Sequence, residues 1–149
     1  MAEPALPESD VPLPALHASH AGSWLCSVDG TVRAASKGEA VMAAADTPHL
    51  ILNAPLVATR LGYPDLSGLD LLELFAFVHP ARFCVPTPKG LAHALDLPEP
   101  EDGAQVPRLL RQAAGVLLAT CEREEWGAPQ LARHGTERLP AKPFPVLPP

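Results

Sequence analysis

The chain predicts an α/β fold in which a small sheet carries packed helices, and three observations predict it. Ala (24) and Leu (23) dominate the apolar residues, whereas Val and Ile together number 11; that balance suits helices better than a large sheet of β-branched residues. An Asp29-Gly30 pair between two short apolar runs marks a hairpin. A continuous apolar run from His49 to Asn53 marks one buried strand. At 149 residues, with 47% apolar, the chain holds one domain with a core of its own.

The elements follow in order. Ser23–Val28 and Thr31–Ala35 are the hairpin strands, joined by a two-residue turn because Asp-Gly tolerates positive φ at both turn positions. Lys37–Ala45, rich in Ala, Met and Glu, favours helix and stops at Asp46-Thr47-Pro48. After the strand at 49–53, Ala54-Pro55 opens a helix with proline in its first turn, and Gly62 closes it. Tyr63 to Gly68 is a turn cluster. Asp70 is placed to cap a helix Leu71–Val78, which His79-Pro80 ends; this segment is apolar on nearly all sides and is expected to be heavily buried. Thr87-Pro88 starts a short helix to Leu95. An acidic loop, Asp96–Asp102, precedes the longest helix, Pro107–Glu125, whose Leu109, Leu110, Ala113, Val116, Leu117 and Cys121 trace one face.

The 19 prolines are the compositional anomaly. Four lie at Pro4, Pro7, Pro12 and Pro14 and five between Pro140 and Pro149, so both ends are expected to be extended and disordered. The expected organisation is a tail at 1–16, a domain at 17–126 and a proline-rich tail at 127–149. The formal net charge of −6 excludes a generally basic nucleic-acid coat. Cys26, Cys84 and Cys121 form no CxxC or zinc spacing, and their odd number speaks for reduced, buried thiols. No positively charged apolar leader and no membrane-length apolar run are present, which points to a cytoplasmic protein without a membrane partner.

The common catalytic signatures are missing. No G-x-x-x-x-G-K-[ST], G-x-G-x-x-G or G-x-S-x-G occurs. His17 and His20 would need two further partners to hold a metal. Asp65, Asp70 and Glu73 each have a structural role available as turn, cap and solvated helix face. A modest basic cluster of His79, Arg82 and Lys89, with Phe83 among them, is the candidate nucleic-acid contact set.

Leu52-Asn-Ala-Pro-Leu56, then Asp70-Leu-Leu-Glu-Leu74, then Pro88-Lys-Gly-Leu-Ala92 form an ordered set that resembles a decayed DnaQ-type, RNase H-like 3′–5′ exonuclease domain. The shared positions include Asn53, Ala54, Asp70 and the Leu91-Ala92 pair. The resemblance implies a degenerate RNase H-like sheet. It departs where the chemistry would lie: Ser27–Thr31 supplies no Asp-x-Glu, position 57 is Val, and His93 and Asp96 have the wrong spacing. Without three or four convergent carboxylates two metals have no cage, so no nuclease activity is expected.

More specifically, Leu16–Ala21, Ala44–Pro48, Leu52–Val57, Arg60–Phe83 and Pro86–Ala92 resemble the opening of bacterial DinG-type ATP-dependent DNA helicases, over about residues 13–126. In that family the region precedes a motor with a P-loop and a four-cysteine iron–sulfur cluster. ATP, Mg²⁺ and the cluster are therefore expected only in a downstream motor, and no cofactor in this chain. The resemblance implies a non-catalytic N-terminal accessory domain, or a truncated or frame-shifted piece of one, that places the motor on DNA or on a partner protein. The rival reading is a protein-interaction module without a nucleic-acid role. Asn53 at a strand end, Asp70 as cap and Pro88 at a helix start are expected to be structural.

Overall fold

Residues 11–123 are described by the computed structural model of the protein. The strands are β1 (Ala15–Ser19), β2 (Gly22–Cys26), β3 (Val32–Ala35), β4 (His49–Ile51) and β5 (Gly68–Asp70). The helices are α1 (Lys37–Asp46), α2 (Ala54–Leu61), α3 (Leu71–Val78), α4 (Pro88–Ala94) and α5 (Val106–Arg123), with a 3₁₀ turn at Gly103–Gln105. The strands form one mixed sheet in the order β3-β2-β1-β4-β5. β2 runs antiparallel to both of its neighbours, whereas β4 is parallel to β1 and to β5.

Strand alternation sends side chains to two faces. Ala15, Cys26 and Leu50 join the residues of α3, α4 and α5, among them Leu71, Phe75, Leu91 and Leu110. Leu16, Leu25 and Ile51 join Ala40 and Ala44 of α1 and Val57 and Leu61 of α2. The sheet is thus covered on both sides. Leu16, Leu50, Ile51, Leu71 and Leu110 are fully buried, each contributing about 1.5–3 kcal/mol by leaving water. Compactness divides the chain after Leu117. The described part of the second unit is the end of α5, Leu118–Arg123, which is helical.

Several expectations hold in detail. α1 ends at Asp46, Gly62 caps α2 with φ 66°, and Asp70 and Thr87 cap α3 and α4. A reciprocal capping box at the start of α1 was not anticipated: Glu39 N–H donates to Ser36 Oγ (3.1 Å) and Ser36 N–H to Glu39 Oε1 (2.9 Å).

Four expectations need correction. The hairpin exists, but its loop is not a two-residue turn. Gly30 N–H donates to Ser27 O and Ser27 N–H to Thr31 O. Gly30 takes φ 93° while Asp29 does not take positive φ, a three-residue loop with a bulge. Asp29 sets it by accepting from the Thr31 N–H (3.0 Å) and the Ser27 hydroxyl.

Second, β1 and β5 were not anticipated. β1 reaches into the span expected to be a tail, and the segment before it is held down. Arg111 of α5, 4% exposed, donates from Nε to Leu13 O (3.3 Å) and from Nη2 to Val11 O (3.2 Å). The remaining tail positions, 1–10 and 127–149, lie outside the described residues. Third, α3 buries Leu71, Phe75 and Val78 but leaves Phe77 54% exposed, because one helix presents only one stripe to one sheet. Fourth, of the thiols expected to be buried, Cys26 is, whereas Cys84 and Cys121 are half-buried.

Candidate functional site

The parallel strands β1, β4 and β5 end on the same side of the sheet, the side where open α/β sheets receive ligands. Two side chains organise this end. Asn53 stands two residues beyond β4 with φ 65°, a left-handed conformation that Asn tolerates, and turns the chain into α2, whose Leu56 N–H its Oδ1 accepts (3.4 Å). Asp70 ends β5 and is 7% exposed. Its Oδ1 accepts from the Asn53 N–H (3.0 Å) and the Leu72 N–H (3.0 Å), and its Oδ2 from the Ala54 N–H (2.8 Å). Asp70 therefore caps α3, as expected, and also ties the starts of α2 and α3 together.

Beside this junction, over the end of β1, lies a cleft of about 410 Å³. It is lined by His17 and Ser19 of β1, by Thr87, Pro88 and Lys89 at the start of α4, and by Pro100–Gly103 and Val106. Pro88 is the first residue of α4, and the Thr87 hydroxyl accepts the Gly90 N–H (3.0 Å). His17 stacks on Trp24, its cross-strand neighbour, with ring centroids 6.0 Å apart and planes 18° apart. Burial first, and the charge of Arg60 second, push the His17 imidazole down to a pKa of about 4, so it is neutral at pH 7.

The far side of the cleft rests on the same indole. A Cβ at Gly103 would fall 2.3 Å from Trp24 Cζ3. Gly103→Ala is expected to destabilise the fold by about 1–3 kcal/mol and to shift the Trp24 emission, read by denaturant titration and fluorescence.

The cleft offers a neutral imidazole, hydroxyls, one exposed ammonium at Lys89 and the carboxylates of Glu101 and Asp102. Asp102 also accepts the Gln105 N–H (3.2 Å). β1 itself carries no acid. Among the described residues no group of three or more His, Cys, Asp or Glu side chains is placed to hold a metal ion.

The candidate contact set does not act as one. Arg82 Nη2 donates to Ala94 O (2.6 Å), and its guanidinium carbon lies 5.5 Å from the centre of the Phe75 ring. The His79 ring sits 5.2 Å from the same phenyl group, and the His79 backbone N–H closes α3 on Phe75 O (2.8 Å). His79 and Arg82 thus meet around Phe75, and Arg82 straps the loop to the end of α4. Lys89 belongs to the cleft instead. The loop also exposes Phe83 (82%) and Val85 (49%). His17 and Ser19 are the site residues that sequence reasoning missed; the alternation Leu16-His17-Ala18-Ser19 before Gly22 was their signal.

Compared with protein-family models, curated proteins and solved structures, the chain matches none. Among the described residues no helix is long and apolar enough to cross a membrane.

Proposed function

We propose that the chain is a non-catalytic, nuclease-derived accessory domain of a DinG-type DNA helicase, which helps to place the motor on DNA or on a partner protein. One observation carries this reading. The strand order β3-β2-β1-β4-β5, with β2 alone reversed, is the arrangement of RNase H-like folds, and the cleft lies over the end of the first strand. The first strand is β1, and not the segment around Ser27–Thr31. Where the resemblance calls for Asp-x-Glu, β1 carries no acid, and His17 and Ser19 face the cleft.

These residues do not fit the two metal ions of such enzymes. A neutral imidazole, a hydroxyl and the side chain of Val57 cannot replace a carboxylate cage. No step of nuclease chemistry is therefore assigned. ATP, Mg²⁺ and an iron–sulfur cluster belong, in that family, to the motor.

Lys89 is the cation of the contact set that lines the cleft, and it is exposed. Salt-dependent binding of single-stranded and forked DNA tests the reading. Lys89→Ala is expected to lower the salt slope by about 1, as the loss of one phosphate contact does, and Mg²⁺ or Mn²⁺ is expected to elicit no degradation of a 3′-ended strand. Absence of salt-sensitive affinity, with Lys89→Ala unchanged, rejects direct DNA contact. The exposure of Phe77, Phe83 and Val85 favours the protein-partner form of the same role; it would then be the surviving reading.

A further inference from the structure

At the opposite end of the sheet, where β4 begins, a second cavity of about 430 Å³ is lined by residues with no part in the cleft. Asp29 and Asp46 bring carboxylates to it, Ser27 and Thr47 bring hydroxyls, and His49 and Arg33 line it as well. We propose that this cavity is a binding site for an organic cation bearing a guanidinium group, recognised by Asp29, Asp46 and His49.

Three observations carry it. His49 is 4% exposed, and its Nδ1 lies 2.7 Å from Thr47 O. A carbonyl only accepts, so Nδ1 carries the hydrogen, and Nε2 is left as a bare acceptor without a partner among the described residues. A buried acceptor without a donor marks a place for one. The ring lies near enough to Asp46 for that carboxylate to counter part of the depression that burial imposes on it.

Asp46 itself is set against local electrostatics. It is the last residue of α1, where the helix dipole disfavours an anion, and the last turn carries no basic residue. Among the described residues its carboxylate accepts only a neighbouring hydroxyl, that of Thr47 (3.2 Å). A cationic ligand would relieve both the carboxylate and the helix end.

Asp29 is the third acceptor. Hydrogen bonds from Ser27 and Thr31 hold it ionised down to a pKa of about 2, and it forms no ion pair among the described residues. Two carboxylates and one imidazole nitrogen ask for several N–H donors on one planar cation, which a guanidinium provides and a single ammonium matches less well. Arg33, an exposed residue that also lines the cavity, lies near Glu39, whose carboxyl is held below its ordinary value first by the Ser36 N–H and then by the Arg33 charge; that carboxylate offsets part of the guanidinium's repulsion toward a cationic ligand.

The test titrates the full chain with ethylguanidinium, followed by NMR. Saturable shifts are expected at the amides of residues 27–31, 46, 47, 49 and 50 and at the His49 ring, with none from ethylurea, the neutral isostere. Asp46→Asn should weaken binding about tenfold or more without lowering Tm, since it removes an anion from a helix C-terminus. N-Acetylarginine methylamide binding more tightly than ethylguanidinium assigns the guanidinium to a partner's arginine; equal affinity assigns it to a free small molecule. Shifts that never saturate, equal binding of ethylurea, an Asp46→Asn affinity within about twofold of the parent, or tighter saturation of the same signals by Mg²⁺ would each overturn the proposal.

Discussion

Replacing Asp70 by alanine is expected to cost about 3–5 kcal/mol of folding stability. The carboxylate is 7% exposed and accepts three backbone N–H groups, those of Asn53, Ala54 and Leu72. Alanine leaves all three donors without that partner, at half-buried residues. Each such donor costs about 1–3 kcal/mol, and loss of an N-cap alone costs about 1 kcal/mol. Ordinary domains have only about 5–15 kcal/mol to lose.

The graded variant sharpens the test. In Asp70→Asn one oxygen can still serve Asn53 and Leu72, but an NH₂ group then faces the Ala54 N–H, so an intermediate cost is expected. Denaturant unfolding gives the total for each variant, and native-state hydrogen exchange at Asn53, Ala54 and Leu72 reports the local release. A loss below about 1 kcal/mol for Asp70→Ala would show that the three bonds do not hold the junction.

Asp70 also marks how far the sequence could be read. Its capping role was legible because a cap is local: an acid immediately before an apolar helix satisfies that helix's own free N–H groups. Its second role, reaching Asn53 and Ala54, was not legible, because it depends on β4 and β5 lying side by side. The same division runs through the fold. Gly62, Thr87 and Pro88 announce helix ends through short-range chemistry. Gly68 reads as the end of a turn cluster and not as the first residue of β5, yet this glycine answers a close approach: a Cβ there would fall 2.4 Å from His49 O.

β1 was missed for another reason. Pro12 and Pro14 stand just before it, and proline density argues for a tail, whereas the buried guanidinium that fixes Val11 and Leu13 stands at Arg111, far along the chain. The candidate contacts are divided between two places for a related cause. Arg82 and Lys89 are close in sequence, but Arg82 turns its guanidinium onto Phe75 and Ala94 O. Charge can be read from a sequence, and what a charge is already bonded to cannot.

Lowering the pH from neutrality to about 4 is expected to remove roughly 2–3 kcal/mol of stability through His17. The ring titrates at about 4 in the folded protein against an ordinary value of 6.5. Above 6.5 both states hold it neutral. As pH falls through 6.5 the unfolded chain takes up a proton that the folded protein refuses, so stability declines until the folded ring is also protonated near 4. His49, lowered by burial as well, adds in the same sense. Asp29 and Glu39 are shifted downward, so their contributions are lost below the ordinary carboxyl values; Glu39, ordinarily at 4.5, begins to lose its share at the acid foot of this window and Asp29 below it. His17→Gln should flatten the decline between 6.5 and 4, measured by denaturant unfolding across that range; an undiminished slope would mean that the ring is not shielded as the cleft requires. The outcome bears on the site directly. A neutral His17 leaves Lys89 to carry the positive charge of the contact set in the cleft, so a salt slope for DNA measured at neutral pH reads Lys89 and not the imidazole beside it.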